Sequence, residues 1–316
     1  MMFFFYQTII TLIVIISPII IFYRICRGKE DKKRFKEKFS LSTKKRITGK
    51  LIWFHGASVG ELLSIIPIIK YYEKNKSVKQ ILITSTTLSS SKIIHKFKFK
   101  KTIHQFFPID HFYLIEKFLN YWKPSLAIFI ESEIWPCMFK SLKNKRIPLI
   151  LLNARLTKKT FNRWSKLQSF SKSVFNQITT AFPQNIETKK YLKKMEVSKI
   201  KFLGNLKFIE NNYKQQFEIN KNLNKFFKDK KIWVASSTHR EEEVFCAKAH
   251  KELKKKENNL LTIIIPRHIH RVKEIVYQIE KLGLKTTTHS SLSKNLNNTD
   301  IYIVDTFGET NKFHKI

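Results

Sequence analysis

The segment at residues 53–61, WFHGASVGE, follows an apolar run, passes through small residues and ends on a carboxylate. A helix-like stretch, Leu62 to Ile69, comes next. A strand that opens a helix through such a turn places backbone N–H groups and an acidic side chain at the carboxyl edge of a sheet, where α/β folds bind ligands. Glu61 is therefore a candidate catalytic base. The same residues fit a capping box formed by Ser58 and Glu61, and spacing alone leaves both interpretations open.

A second acidic pair follows another apolar run, residues 126–130. Carboxylates at the end of a strand can orient a sugar or stabilise an oxocarbenium-like transition state. Glu131 directly ends the run and is the stronger candidate. Glu133 is expected to serve structure beside Trp135.

Basic side chains follow two further apolar runs. Arg267 comes directly after residues 260–265, where a guanidinium can pair bidentately with a phosphate. Lys207 follows a strand-like run and a Gly-Asn turn, which allows it to reach a ligand, although a solvated lysine is the ordinary alternative in so basic a chain. The segment 153–155, Asn-Ala-Arg, fits substrate binding and bracing of the fold equally well.

Strand-like runs that alternate with amphipathic stretches predict two parallel sheets built from βαβ units. The polar segment 211–230 predicts a linker between them. After the second sheet's first strand, Thr238 and Glu241 have the spacing of another capping box. The predicted strands are 51–54, 80–84, 126–130, 148–152, 181–182 and 200–203 in the first sheet, and 232–235, 260–265 and 301–304 in the second.

Seven segments in order resemble those of the 3-deoxy-D-manno-octulosonic acid (Kdo) transferases, which build the inner core of lipopolysaccharide. The segments are 53–61, 131–136 (ESEIWP), 153–156 (NARL), 204–208 (GNLKF), 236–243 (SSTHREEE), 266–271 (PRHIHR) and 305–309 (DTFGE). The resemblance covers nearly the whole chain. It implies the GT-B fold, in which two Rossmann-like, doubly wound α/β domains enclose a cleft.

The resemblance also implies an activity and its residues. Kdo would pass from CMP-Kdo to a lipid A precursor, lipid IVA, with inversion at the anomeric carbon and with neither cofactor nor metal. Glu61 would be the general base, and Glu131 and Lys207 would stabilise the transition state. An acceptor domain is expected at residues 51–212 and a nucleotide-sugar-binding domain at 213–316. The residues implied for CMP binding are Pro266, Arg267, Phe307, Gly308 and Glu309.

Two departures from the family pattern affect the nucleotide domain. Phe307 replaces the more usual methionine. The sequence stops soon after Glu309, whereas the family continues with a Gly-rich segment and a Gly-Gly-His-Asn-type motif, so we expect a C-terminally truncated second domain. The alternatives are a truncated, inactive relic, a lipid-binding membrane protein of the same family, or a GT-B transferase with another donor sugar.

The first two dozen residues are almost wholly apolar, which is long enough to span a bilayer. A cleaved secretory signal would carry positive charge before the apolar run and a small-residue cleavage site after it, and this segment has neither. Residues 1–23 are therefore predicted to be a single-pass anchor in the inner membrane, with a buried core helix as the alternative. Basic residues fill the juxtamembrane segment 24–50, so the positive-inside rule leaves the catalytic body in the cytoplasm.

The formal net charge of +36 raises the question of nucleic acid binding. The lysines are dispersed and no nucleic-acid motif is present, so the predicted partners are an anionic membrane surface and a phosphorylated lipid. Three cysteines without paired spacing predict neither zinc nor disulfides. His268 and His270 lie two residues apart in a basic loop, which is poor metal-site geometry, so no metal is expected.

Overall fold

The computed structural model describes residues 2–206, 221–291, 296–306 and 310–313. The chain divides into two compact units, Met1–Tyr213 and Lys214–Ile316. Each unit contains a parallel sheet flanked by helices.

The first unit has a six-stranded parallel sheet in the order β3-β2-β1-β4-β5-β6. The chain builds outward from β1 in one direction and then returns to β4 on its other side. Such a reversal is a topological switch point, where the helices that follow the neighbouring strands lie on opposite faces of the sheet and leave a crevice at the carboxyl ends. The strands are β1 Leu51–His55, β2 Gln80–Ser85, β3 Thr102–Phe106, β4 Leu126–Ile130, β5 Leu149–Ala154 and β6 Thr180–Pro183.

Helices cover both faces of this sheet, so its central strands are buried on both sides and read as unbroken apolar runs. Trp53 and Phe129 pack on one face, and Phe54 and Ile128 pack on the other. The helices of this unit are α1 Met2–Cys26, α2 Val59–Ser64, α3 Ile66–Lys74, α4 Leu88–His95, α5 Phe112–Trp122, α6 Pro136–Asn144, α7 Lys158–Ser165, α8 Gln168–Phe175 and α9 Ile186–Lys194.

Two strand predictions in this unit were wrong. Strand β3 was not predicted, because its sequence, TIHQF, carries His104 and Gln105 where apolar residues are expected. Both side chains are buried in the sheet. The strand predicted at 200–203 is reduced to a single bridge between Ala181 and Ile200.

The second unit has four parallel strands in the order β7-β8-β10-β9. They are β7 Lys231–Thr238, β8 Leu260–Pro266, β9 Thr286–Thr288 and β10 Ile301–Ile303, with helices α10 Lys221–Lys228, α11 Glu242–Lys254, α12 Val272–Glu280 and α13 Thr310–Phe313. The linker prediction was wrong from residue 221 onward, because Leu223 and Phe227 on α10 are buried against this sheet.

Helix α1 has the length and composition of a membrane span, with a mean hydropathy of 2.5 in its most apolar window. The basic segment that follows it is folded onto the first unit. Arg34 forms an ion pair with the buried Glu37 and donates to the carbonyl of His104 at 2.7 Å. Part of the basic segment is therefore structural.

Candidate functional site

Polar side chains of the first unit gather at the carboxyl ends of β1 and β4, the two strands at its switch point. Glu61 follows β1 through the turn at residues 56–58, and Glu131 and Glu133 follow β4. The parallel pairing of β1 with β4 brings these chain ends to one edge of the sheet. The structure thus brings together the two carboxylates predicted in this unit, and adds Glu133.

Glu61 is half-buried in the first turn of α2. Its Oε2 accepts a hydrogen bond from the Ala57 N–H at 2.8 Å, and its Oε1 accepts one from the Ser58 hydroxyl at 2.8 Å. The Ser58 hydroxyl in turn accepts from the Glu61 N–H at 3.3 Å. The predicted cap is present, although the glutamate reaches the N–H of Ala57 rather than that of Ser58 itself.

The turn before Glu61 leaves no room for a larger residue. A Cβ on Gly56 would lie 3.1 Å from a methyl group of Leu62 and 3.3 Å from the Cβ of Glu61. Glycine at this position therefore allows the carboxylate to fold back over the end of β1.

The surroundings of Glu61 favour its protonated form. Burial raises the pKa of Glu61, the hydrogen bonds from Ser58 and Ala57 oppose this, and the negative charges of Glu133 and Glu131 raise it further. A carboxylate with a raised pKa is a better proton acceptor than one in water. The hydrogen bonds of the cap thus lower the pKa of Glu61, whereas its acidic neighbours raise it.

Glu133 lies at the end of a buried chain of hydrogen bonds. The Trp53 indole N–H donates to the Thr84 hydroxyl at 2.9 Å, and that hydroxyl lies 2.9 Å from Nδ1 of His55. A ring proton is assigned to Nε2, because Nε2 faces a carboxylate oxygen of Glu133, which can only accept. Nε2 then donates to Glu133 at 3.1 Å, and the Trp135 indole donates to the same oxygen at 3.0 Å.

Aromatic rings enclose this chain. The His55 ring is stacked on Phe107, with centroids 3.8 Å apart, and Phe129 and Trp135 pack around it. His55 is fully buried. Sequence reasoning missed His55, since a histidine at the end of a strand has no distinguishing spacing, and the expectation that Glu133 serves structure beside Trp135 agrees with the contact seen.

Glu131 and Asn153 follow the last paired residues of the neighbouring strands β4 and β5, and both have a strained backbone conformation. Their φ values are +56° and +52°, in the left-handed region that non-glycine residues seldom occupy. Both residues are buried, and the Asn153 amide oxygen accepts from the Leu206 N–H at 3.1 Å. Strain of this kind is concentrated at functional sites. Through its hydrogen bond to the Leu206 N–H, Asn153 links the end of β5 to the segment just before residue 207.

The second unit carries the predicted phosphate-binding residues at the carboxyl end of β8. Pro266 is buried as the last residue of that strand. Arg267 follows it with an exposed side chain, and its backbone N–H donates to the Thr238 carbonyl at 2.9 Å. The guanidinium is thus displayed at the edge where β7 and β8 both end. His239 and His268 lie nearby, with ring centroids 6.1 Å apart.

The capping box predicted for Thr238 and Glu241 was wrong. Glu241 has a φ of +76° and its side chain does not cap the helix. Helix α11 begins at Glu242, whose carboxylate accepts from the His239 N–H at 2.7 Å. The Thr238 hydroxyl donates instead to Glu243 at 3.2 Å.

Sequence reasoning also missed an ion pair between Glu243 and Arg271, with N···O distances of 3.3 and 3.4 Å. Glu243 is fully buried and Arg271 nearly so. The pair joins the start of α11 to the residue before α12. It fixes the loop that presents Arg267.

Four predicted site residues, Lys207, Phe307, Gly308 and Glu309, lie outside the described residues. Within the described ranges, no group of three or more His, Cys, Asp or Glu side chains is arranged to hold a metal ion.

Comparisons with known proteins match either the first unit or nearly the whole chain. The profile of the 3-deoxy-D-manno-octulosonic-acid transferase (kdotransferase) family matches residues 33–210. A 3-deoxy-D-manno-octulosonic acid transferase of Rickettsia bellii is 35% identical over 94% of this chain and 71% of its own length. A probable mitochondrial 3-deoxy-D-manno-octulosonic acid transferase of Arabidopsis thaliana is 34% identical over 95% and 70%.

The S. aureus MnaA–UDP structure resembles this chain in fold, with a TM-score of 0.54 at 15% identity over 84% of this chain and 70% of that one. At that identity the likeness concerns the fold alone.

Proposed function

The chain belongs to the 3-deoxy-D-manno-octulosonic-acid transferase family, and from this premise we propose that it transfers Kdo from CMP-Kdo to lipid IVA, a phosphorylated lipid A precursor. The family makes it a Kdo glycosyltransferase of lipopolysaccharide biosynthesis, and its units are the α/β units of the GT-B fold. The donor, the acceptor and the roles of individual residues are the proposal.

The observation that carries the proposal is the carboxylate of Glu61. It is half-buried at the switch point of the first sheet, with a pKa raised by burial and by the charges of Glu133 and Glu131. Each carboxylate oxygen has two lone pairs and accepts one described hydrogen bond, which leaves a lone pair for an acceptor hydroxyl. Glu61 can therefore be held by its cap and still act as the base.

In the proposed reaction, Glu61 takes the proton of an acceptor hydroxyl as the hydroxyl oxygen bonds to the anomeric carbon of Kdo. The bond from that carbon to the CMP phosphate oxygen breaks, and its electron pair leaves with CMP. Attack opposite to the leaving group inverts the anomeric configuration. No electron is gained or lost overall, so the proposed step needs no redox cofactor.

Positive charge is proposed to develop on the sugar and negative charge on the departing phosphate. Glu131 is the carboxylate proposed to stabilise the first. Arg267, with Lys207, is proposed to stabilise the second, since an exposed guanidinium at a strand end can pair with a phosphate. Pro266, Phe307, Gly308 and Glu309 are proposed to hold the rest of CMP.

Membrane attachment suits a lipid acceptor. Helix α1 supplies the apolar surface, and the basic residues after it suit anionic headgroups. We place the protein at the inner membrane, with both α/β units on the cytoplasmic side.

The experiment is transfer of Kdo from CMP-Kdo to lipid IVA by the purified, detergent-solubilised chain, compared with Glu61→Gln and Glu116→Gln. Loss of a general base typically slows a reaction about 10²–10⁴-fold, so Glu61→Gln should be slowed by that factor. Glu116, which pairs with Lys145 at 2.8 Å with both side chains half-buried, provides the matched control.

Activity that survives in a folded Glu61→Gln protein would return Glu61 to a capping role. Absence of transfer by the folded unmodified chain would favour the inactive or lipid-binding alternative. CMP titration then tests the second unit separately from the transfer step. Arg267→Ala should weaken CMP binding. Lys251→Ala, which removes an ammonium that donates to the Leu282 carbonyl, should leave CMP binding unchanged.

A further inference from the structure

One side of α1 is half-buried along the helix, and Ser17 and Ile21 on that side are buried. The covered positions recur every three or four residues, which is the spacing of one helix face. They include Phe3, Tyr6, Gln7, Ile10, Val14, Ser17, Ile21 and Arg24. The helix therefore lies lengthwise against protein and does not project from it.

Polar contacts fix the first turns of α1 to the first unit. The Tyr6 hydroxyl donates to the Asp110 carboxylate at 2.8 Å, and the Gln7 side-chain oxygen accepts from the Phe112 N–H at 3.3 Å. The Gln7 amide also contacts the sulfur of Cys137. The Phe3 ring packs edge-on against Phe170.

Asp110 connects this contact to the candidate site. The carboxylate is buried and accepts from the N–H groups of Cys137 and Met138, at 3.0 and 2.8 Å, in the first turn of α6. That helix begins directly after Trp135, whose indole holds Glu133. The start of α1 and the acidic site are thus joined through one helix terminus.

The other end of α1 is tied down as well. Arg24 pairs with the buried Glu30 at 3.1 Å, and Lys38 pairs with the same carboxylate at 2.6 Å. The Lys38 carbonyl then accepts from the Ile109 N–H at 3.0 Å, one residue from Asp110. Both ends of the helix are therefore connected to the same loop of the first unit.

The exposed side of α1 is apolar apart from Thr8 and Thr11, whose hydroxyls donate to backbone carbonyls one turn earlier. Its exposed large side chains are Phe4, Phe5, Ile9, Leu12, Ile13, Ile15, Ile16, Ile19, Ile20, Phe22 and Tyr23. Apolar surfaces of this extent mark interaction sites on soluble domains. Four exposed basic residues after the helix, Arg27, Lys29, Lys32 and Lys33, outnumber Asp31 and the paired Glu30 and give this end the charge that attracts anionic lipid headgroups.

A helix cannot keep these contacts and also cross a bilayer. Crossing needs ~30 Å of hydrocarbon around the helix. Asp110, which accepts from Tyr6, and Lys140, whose ammonium lies 4.6 Å from the centre of the Phe3 ring, would enter that layer with the helix. Leaving them behind would expose Tyr6 and Gln7 to hydrocarbon without their partners.

We propose that α1 stays docked on the first unit and lies in the plane of the membrane, with its outer face among the acyl chains. This replaces the single-pass anchor predicted from the sequence with a monotopic attachment. It rests on the proposed membrane attachment and not on the transfer chemistry, so the transferase assay can succeed when this proposal fails.

The side of the membrane on which the N-terminus lies tests the proposal. A short hydrophilic extension with one cysteine is added before Met1, in a Cys26→Ser background, and membrane-impermeant maleimide is applied to spheroplasts and to inverted membrane vesicles. Native Cys26, which is exposed beside the body, is the reference in the unmodified chain. The proposal expects both cysteines to be labelled in inverted vesicles, and labelling of the extension in spheroplasts overturns it.

Cross-linking in the membrane tests the docked helix directly. Phe3→Cys with Phe170→Cys should be joined by a short bismaleimide, because the two rings are 5.0 Å apart. Phe5→Cys with Phe170→Cys is the matched control, since Phe5 lies on the outer face. Equal cross-linking of the two pairs, or none in either, overturns the docked arrangement. If the protein does not float with anionic vesicles and forms a dimer in solution instead, the apolar face of α1 binds a second copy of the chain. That result also overturns the membrane proposal.

Discussion

Replacing Glu133 in two ways separates its charge from its hydrogen bonds. In Glu133→Gln, the amide oxygen still accepts from the His55 Nε2–H and the Trp135 indole, but the negative charge is gone. In Glu133→Ala both donors lose their acceptor. The pair of variants therefore measures each contribution in the same surroundings.

The stability effects follow from the burial of the two donors. An unpaired buried donor costs ~1–3 kcal/mol; His55 is fully buried and Trp135 is half-buried, so Glu133→Ala should destabilise the first unit by ~2–4 kcal/mol. Glu133→Gln keeps both bonds and should cost ~1 kcal/mol. With a urea m-value of ~2 kcal/mol/M, the alanine variant should unfold at ~1–2 M less urea.

The activity effect of Glu133→Gln follows from the charge. The Glu133 carboxylate raises the pKa of Glu61, so its neutralisation should lower that pKa. A base is active when deprotonated, so transfer rises with pH through the pKa of Glu61, and the acid limb of the pH–rate profile should move to lower pH in the variant.

Tryptophan fluorescence during urea unfolding and initial rates of Kdo transfer across the acid limb provide the two measurements, with Glu116→Gln as the control. Equal destabilisation by Gln and Ala would contradict the hydrogen-bond chain. An unchanged acid limb in Glu133→Gln would show that this charge does not act on Glu61.

Two further predictions concern buried charges. Burial raises the pKa of Asp110 from 3.8 to about 6, so this group's contribution to stability is present below its unfolded pKa and is lost as pH rises through about 6. The free energy of unfolding should therefore fall, relative to that of Asp110→Asn, between about pH 4 and pH 7, and a constant difference would refute the assignment. Arg271→Met should destabilise the second unit by ~3–5 kcal/mol, because it leaves the buried Glu243 without its cationic partner. Adding Glu243→Leu should restore much of that stability, as measured by urea unfolding followed through Trp233 fluorescence. An unchanged stability in Arg271→Met would show that the ion pair contributes nothing.

The candidate site was only partly predictable. Glu61 and its cap were readable because Ser58 and Glu61 are three residues apart, and a local spacing survives in any helix terminus. His55 and Glu133 are 78 residues apart, and no local pattern signals that they meet. The sequence also predicted that Glu241 makes a cap, whereas Glu242 accepts the hydrogen bond from the His239 N–H. The left-handed conformation of Glu241 moves the start of α11 by one residue, and no local spacing indicates this.

The sequence by itself determined the parallel α/β class, the order of the family segments, and the apolar helix at the start of the chain. These are properties of runs and spacings, which hydrophobic burial converts into strands and helices directly. The tertiary structure decided that buried His104 and Gln105 belong to a strand, that Glu133 joins Glu61 and Glu131 at one edge, and that α1 lies along the first unit. Those outcomes depend on contacts between distant parts of the chain, where a buried polar group is stable only beside the partner that folding brings to it.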